Sequence, residues 1–160
     1  MADVLKYGWV YGGKIGQEMK IAANQNFYRD GGAFITASGS GGVNILATLP
    51  TADLVGWAEV PRAAVPGLAD YWNSGTTSGA MKAHVITDPG AIFAMPPYEG
   101  SASLSANVVG LHVGIVYNAT RQYANTATNA IASQMQLKVV DVDMTERVMY
   151  VQVRQAHVGV

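Results

Sequence analysis

Hydrophobic and polar residues alternate along much of the chain, in short runs separated by glycine- and proline-rich turns. The longest run is VVGLHVGIVYN at residues 108–118, where every second side chain is a large one. A period of two is typical of a strand that buries one face. Shorter runs predict further strands at residues 33–37, 43–49 and 53–60.

A β-hairpin is predicted over residues 135–155. The aliphatic positions Leu137 and Val139 have one parity, and the parity changes at Val140, which indicates a β-bulge. A tight turn is expected at residues 145–147, after which the alternation resumes. Asp141 and Asp143 would then lie about 7 Å apart on the polar face of one strand.

The N-terminal residues 1–26 show no clean period. Tyr7, Trp9 and Tyr11 alternate with smaller residues, and glycines follow at positions 12, 13 and 16. This pattern predicts an extended N-terminal arm with one short strand, which precedes a single β domain at residues 27–160.

The longest irregular stretch lies at residues 61–81. Pro66 is placed to start a short helix, on which Leu68, Tyr71 and Trp72 would share one face at spacings i, i+3 and i+4. The Ser/Gly/Thr-rich residues that follow predict a loop, and loops of this length in compact domains are usually functional or mobile.

Taken together, the pattern predicts six to eight short strands, frequent turns and little helix. The expected fold class is all-β: a small β-barrel or β-sandwich with an extended N-terminal arm and long loops. The length of 160 residues favours one domain of ordinary size.

Composition excludes several classes of function. Charged residues make up only 13% of the chain and the net charge is −1, so no electrostatic footprint for nucleic acid is present. The absence of cysteine excludes disulfides, thiolate catalysis and cysteine-ligated zinc. No apolar segment has the length of a membrane span or the character of a signal peptide, so we expect synthesis in a cytoplasm.

A search for catalytic, metal-binding or cofactor-binding residues identifies none. His84, His112 and His157 lack the close spacing of paired metal ligands, and there is no G-x-S-x-G motif. In HVITDPGAIFAM (residues 84–95), Asp88 precedes Pro-Gly and can accept a hydrogen bond from the backbone just downstream, so this segment predicts a turn between strands.

Several segments follow one another in a characteristic order: ITDPGAIFAMPPYEG, ANVVGLHVGIVYN, a stretch rich in Ser, Thr and Asn, and LKVVDVDMTERVMYVQV. Upstream, FYRDGGAFITAS and LVGWAEV fit a strand pair that precedes a long variable loop. In the order and texture of these segments the chain resembles the small decoration, or cement, proteins of tailed-bacteriophage heads. The resemblance extends over roughly residues 27–155. Within that range residues 57–82 match no particular pattern, and neither do residues 1–26 before it.

The resemblance implies a structural protein without catalysis. Such proteins bind the outside of the major capsid shell, as homodimers or homotrimers over capsomer junctions, and stabilise the shell against internal pressure. The implied partners are the major capsid protein and further copies of the chain, with no nucleic acid or membrane, and the implied location is the outer capsid surface of the virion.

Six residues are predicted to contact the partner, because aromatic side chains are favoured at the centres of interfaces. They are Tyr7, Trp9, Tyr11, Leu68, Tyr71 and Trp72. The alternative for all six is ordinary core packing.

Two other functions stay open at the level of sequence. One is a different structural part of a virion, such as a head–tail connector or a tail module, which would form rings or stacks by itself. The other is a carbohydrate-binding or hydrolytic β-domain, which only the aromatic residues favour.

Overall fold

The computed structural model of the chain describes residues 7–28, 31–37, 42–45, 54–60, 67, 69, 71–98, 104–118, 121–125 and 136–153. These residues form fourteen strands and a 3₁₀ helix at Ala106–Val108. The first seven strands are β1 Gly8–Tyr11, β2 Gly16–Ile21, β3 Asn26–Tyr28, β4 Ala33–Ala37, β5 Val43–Ile45, β6 Gly56–Glu59 and β7 Tyr71–Asn73. The other seven are β8 Met81–Ile86, β9 Ile92–Met95, β10 Pro97–Tyr98, β11 His112–Asn118, β12 Arg121–Asn125, β13 Leu137–Asp143 and β14 Val148–Val153.

The strands form a closed barrel, an open sheet and a small two-stranded sheet. The barrel has the order β2-β5-β4-β6-β8, and β8 pairs with β2 to close it. The open sheet has seven strands in the order β1-β9-β14-β13-β11-β12-β10, and β3 pairs with β7. All pairs are antiparallel except β2 with β5 and β10 with β12.

The barrel interior is filled by small and medium-sized side chains. On β4 the neighbours Ala33 and Ile35 belong to this inner core, together with Val85 of β8. Phe27 of β3 and Trp72 of β7 pack against the same core, with ring centroids 5.8 Å apart. The small sheet therefore completes the packing of the barrel.

The second core lies between the barrel and the open sheet. Phe34 and Trp57 come from barrel strands, but alternation places them in the cluster that also contains Phe93 of β9. The Trp57 and Phe93 rings stack at 5.2 Å, and Phe34 meets the Trp57 ring edge-on at 4.7 Å. Because all three are almost fully buried, this aromatic cluster fixes the two regions against each other.

A buried hydrogen-bond network crosses the same boundary. The Gln122 side chain accepts from the backbone N–H of Phe34 at 2.7 Å and donates to its carbonyl at 3.0 Å. The Tyr7 hydroxyl donates to the carbonyl of Gly32 at 2.8 Å and accepts from the backbone N–H of Gln122 at 3.1 Å. The Gln122 side chain thus takes the place of a neighbouring strand at Phe34. It satisfies two backbone groups that burial would otherwise leave unpaired.

The structure confirms the all-β fold and the details of the C-terminal hairpin. Strands β13 and β14 pair in antiparallel fashion, and the register shifts between Val139 and Asp141, which leaves Val140 as the bulged residue. The turn contains Arg147 with a positive φ of 55°. None of the helical segments in the described part of the chain is long and apolar enough to cross a membrane.

The prediction of an N-terminal arm is wrong for the described residues. Strand β1 pairs with β9 in the open sheet, and β2 contributes six residue pairs with β8 to the barrel. In these pairs the partner lies sixty or more positions downstream, a distance that local periodicity does not reveal.

The predicted loop at residues 61–81 is corrected in part. Tyr71 and Trp72 lie in strand β7, so they occupy opposite faces of a strand and not one face of a helix. Residues 61–66, 68 and 70 lie outside the described residues.

Candidate functional site

Two of the six predicted contact residues lie in the interior. Tyr7 and Trp72 are each only 9% exposed and belong to the two cores. Burial raises the pKa of the Tyr7 hydroxyl, although the hydrogen bond from Gln122 and the charge of Arg121 act in the opposite direction. The structure therefore assigns these two rings to packing, the alternative that sequence left open.

Trp9 lies at the boundary between β1 and the barrel. Lys14 Nζ lies 4.9 Å from the centroid of the Trp9 ring and 3.0 Å from a carboxylate oxygen of Glu59. A cavity of about 320 Å³ adjoins these three side chains. The cation–π contact and the ion pair together hold the edge strand to the barrel.

Tyr11 and Tyr71 are exposed, 71% and 44% respectively, and stay candidates for partner contacts. Leu68 lies outside the described residues. The two tyrosines belong to different sheets, since Tyr11 ends β1 of the open sheet and Tyr71 begins β7.

Tyr11 forms one wall of a groove of about 570 Å³ on the outer face of the open sheet, which we call the sheet-face groove. The groove crosses β1, β9, β14 and the end of β13. Its lining residues are Val10, Tyr11, Ile92, Val140, Asp141, Val142, Asp143, Met144 and Tyr150. Val10, Tyr11 and Met144 are exposed, at 38%, 71% and 44%, so large apolar side chains face solvent here.

Two carboxylates, those of Asp141 and Asp143, stand among the apolar side chains of the groove. Asp141 Oδ1 accepts from the backbone N–H of Val142 at 2.8 Å. Asp143 Oδ1 accepts from the backbone N–H groups of Thr145 and Glu146, both at 3.0 Å, and so fixes the hairpin turn. Neither forms an ion pair with any described residue, and the described residues that line the groove include no lysine or arginine.

Two irregularities in the strands shape the groove. The register of β1 with β9 shifts between Trp9 and Tyr11, so Tyr11 turns away from the core that Trp9 contacts. The bulge at Val140 shifts the register of β13 with β14 in the same way. The sequence predicts the second irregularity, because the parity of the aliphatic positions changes at Val140. It does not predict that Val140, Met144 and Tyr150 line the same groove as Tyr11.

His84 is placed on the outer face of the barrel. Cross-strand pairing puts it between Glu18 of β2 and Glu59 of β6. Both glutamates already face lysines, with Glu18 at 3.9 Å from Lys82. Across the described ranges, no group of three or more His, Asp or Glu side chains is arranged to hold a metal ion.

Asp88 forms the turn that its sequence context predicts. Its Oδ1 accepts from the backbone N–H of Gly90 at 2.8 Å, and the carbonyl of Asp88 accepts from the N–H of Ala91 at 3.2 Å. The adjacent cavity measures only about 10 Å³, which is no larger than one water molecule needs. Asp88 therefore has a local structural role that explains its position.

The sheet-face groove combines an apolar floor, two exposed walls and two carboxylates that form no ion pair within the described ranges, which suits binding of another molecule by shape and charge. A comparison of the chain with models of protein families, with curated proteins and with solved structures found no match.

Proposed function

We propose that the protein is a structural component of a bacteriophage virion that binds the outside of the capsid shell and stabilises it. The observation that carries the proposal is the sheet-face groove, where Val10, Tyr11 and Met144 expose apolar surface on a sheet whose other face is packed on the barrel. Exposed apolar patches with polar borders are typical of protein-interaction sites.

The composition of the chain supports an assembly role. A charged fraction of 13% is about half that of ordinary globular domains, so the surface suits packing against other proteins. The order of the sequence segments described above also resembles that of decoration proteins. A ligand of this kind that prefers the assembled shell stabilises the shell by mass action, and many copies multiply the effect.

The rigid part of the molecule suits such a role too. The closed barrel has no unpaired strand edge among its five strands, and the aromatic cluster around Trp57 fixes the open sheet against it. The sheet-face groove is thus presented by a preorganised support, which lowers the entropic cost of binding.

The test uses capsid shells assembled from the major shell protein encoded in the same genome, prepared without this protein. Purified protein is added to expanded and to unexpanded shells, and binding is measured by co-sedimentation. We expect saturable binding to expanded shells and an increased melting temperature of the shells. Electron microscopy of the complexes then locates the protein.

Absence of binding to both shell forms would refute the proposal. Rings or stacks of the purified protein in electron micrographs would instead favour a tail or connector module. Binding of the protein to heads only at the portal vertex would favour a connector as well.

A further inference from the structure

We infer that the sheet-face groove binds a short extended segment of another protein, one that presents aliphatic side chains and a lysine or arginine on the same face. The inference adds the chemistry of the bound segment to the proposed function. It rests on that function only for the identity of the protein that supplies the segment. The chemistry of the segment follows from the groove alone.

The apolar part of the groove calls for aliphatic side chains. Ile92 and Tyr150 are half-buried at the floor, and Tyr11 and Met144 stand exposed at opposite walls. The groove has no roof, so a small molecule would leave much of its own surface in water. A polypeptide that lies across the sheet covers both walls at once.

The width of the groove sets the length of the segment. The lining residues come from β1, β9, β14 and β13, which are successive strands of the sheet. Three strand spacings correspond to about 14 Å. An extended chain covers that distance with roughly four to five residues.

The charge of the groove selects a basic segment. Asp141 and Asp143 carry two negative charges that no described lysine or arginine neutralises, and one oxygen of each is held by backbone N–H groups. The carboxylates are therefore preoriented for a cation from outside. A second copy of the chain related by a two-fold axis would bring the same pair of aspartates to the interface, which like-charge repulsion disfavours.

The test is nuclear magnetic resonance titration of the full chain with blocked eight-residue peptides. The probe is Ser-Val-Ser-Leu-Ser-Lys-Ser-Lys, which places its aliphatic and basic side chains on one face when extended. One matched control replaces both lysines with glutamate, and another replaces valine and leucine with serine. We expect shift changes at Tyr11, Ile92, Asp141, Asp143 and Tyr150, and binding at least fivefold weaker for either control.

Protein variants separate charge from shape. The double change Asp141→Asn and Asp143→Asn keeps the oxygens that accept the backbone hydrogen bonds, so the turn is preserved while both charges are removed. We expect the lysine peptide to bind it about fivefold more weakly and to lose most of its salt dependence. Tyr11→Ser should weaken binding similarly, whereas Met81→Ser, which changes an exposed residue of the barrel, should leave binding unchanged.

Three outcomes would overturn the inference. The first is equal binding of the lysine and glutamate peptides, and the second is a set of shift changes away from the groove. The third is a concentration-dependent dimer in analytical ultracentrifugation that Tyr11→Ser dissociates, since the groove would then be an interface between copies of this chain.

The shell-binding experiment keeps the inference distinct from the proposed function. Normal shell binding by the doubly substituted Asn variant would refute the groove as the contact but leave the shell role standing. Peptide binding in the groove without any shell binding would refute the shell role and support the inference.

Discussion

The outer faces of the barrel and of the open sheet differ in how their carboxylates are paired. On the barrel, Glu18 pairs with Lys82 and Glu59 with Lys14, so both of these carboxylates are compensated within the chain. On the open sheet, Asp141 and Asp143 stand beside exposed apolar side chains without an ion-pair partner among the described residues.

The difference indicates a division of roles. A closed barrel gives each of its strands two neighbours and leaves no edge strand, so it can serve as a support. The open sheet has the edge strands β1 and β10, and its outer face exposes apolar side chains beside two carboxylates. Substitutions can test whether the two regions unfold as one unit and whether their outer faces differ in this way.

The largest expected effect comes from Trp57, which belongs to the barrel but packs against the sheet. Trp57→Ala removes the ring that stacks on Phe93 and should lower the free energy of unfolding by about 3–5 kcal/mol. We expect one cooperative transition in urea, shifted to lower concentration, when circular dichroism and intrinsic fluorescence are compared. Two separate transitions, of which only one shifts, would show that the barrel and the sheet unfold independently.

A smaller effect is expected from the Tyr7 hydroxyl, which joins the two regions through hydrogen bonds. Tyr7→Phe keeps the ring but leaves the carbonyl of Gly32 and the N–H of Gln122 without this partner, at a cost of about 1–3 kcal/mol. Urea denaturation measures the loss. Tyr11→Phe is the matched control, because the Tyr11 ring is exposed, and it should change stability by less than about 0.5 kcal/mol.

The same hydroxyl makes stability depend on alkaline pH. Burial raises the pKa of Tyr7 in the folded state, so folding favours the neutral form. The neutral hydroxyl contributes its full share to the free energy of unfolding below the unfolded-state pKa of about 10. That contribution is lost as pH rises above this pKa, by up to about 1.4 kcal/mol per pH unit. Between pH 8 and 11 the urea concentration at the unfolding midpoint should fall less steeply with pH for Tyr7→Phe than for Tyr11→Phe. Equal slopes for the two variants would contradict a raised pKa of Tyr7.

Sequence patterns predicted the elements whose partners are near in the chain. Strand β4 has the predicted bounds 33–37, and the hairpin of β13 and β14 appears with its bulge at Val140. In β13 the alternation itself reports which face is buried, whereas β4 is buried on both faces. The closure of the barrel could not be predicted in this way, because the paired residues of β2 and β8 are sixty or more positions apart.

The residues of the candidate site were predicted only in part from the sequence, because a register shift within β1 changes which side chains are exposed. A strict period of two puts Tyr7, Trp9 and Tyr11 on one face, yet the first is buried and the last exposed. The register shift between Trp9 and Tyr11 separates them. Such a shift depends on how β1 meets β9, so a single strand sequence does not reveal it.

A moderate effect is expected at the turn that connects the two regions. Asp88 lies between β8 of the barrel and β9 of the sheet, and its carboxylate accepts from the N–H of Gly90. Asp88→Ala should cost about 1 kcal/mol, as loss of a comparable capping bond does, whereas Asp88→Asn keeps the acceptor and should cost less. Equal costs for the two variants in urea denaturation would mean that the hydrogen bond is not the stabilising interaction.

The smallest effect on stability is expected from the face that we propose for binding. Met144→Ser and Tyr11→Ser remove exposed walls of the sheet-face groove, so each should change the free energy of unfolding by less than about 0.5 kcal/mol. The same variants should weaken binding of the lysine peptide severalfold, because the walls bury apolar surface only in the complex. Loss of stability in step with loss of binding would instead make these residues part of the folded core, and the contrast between the two faces would fail.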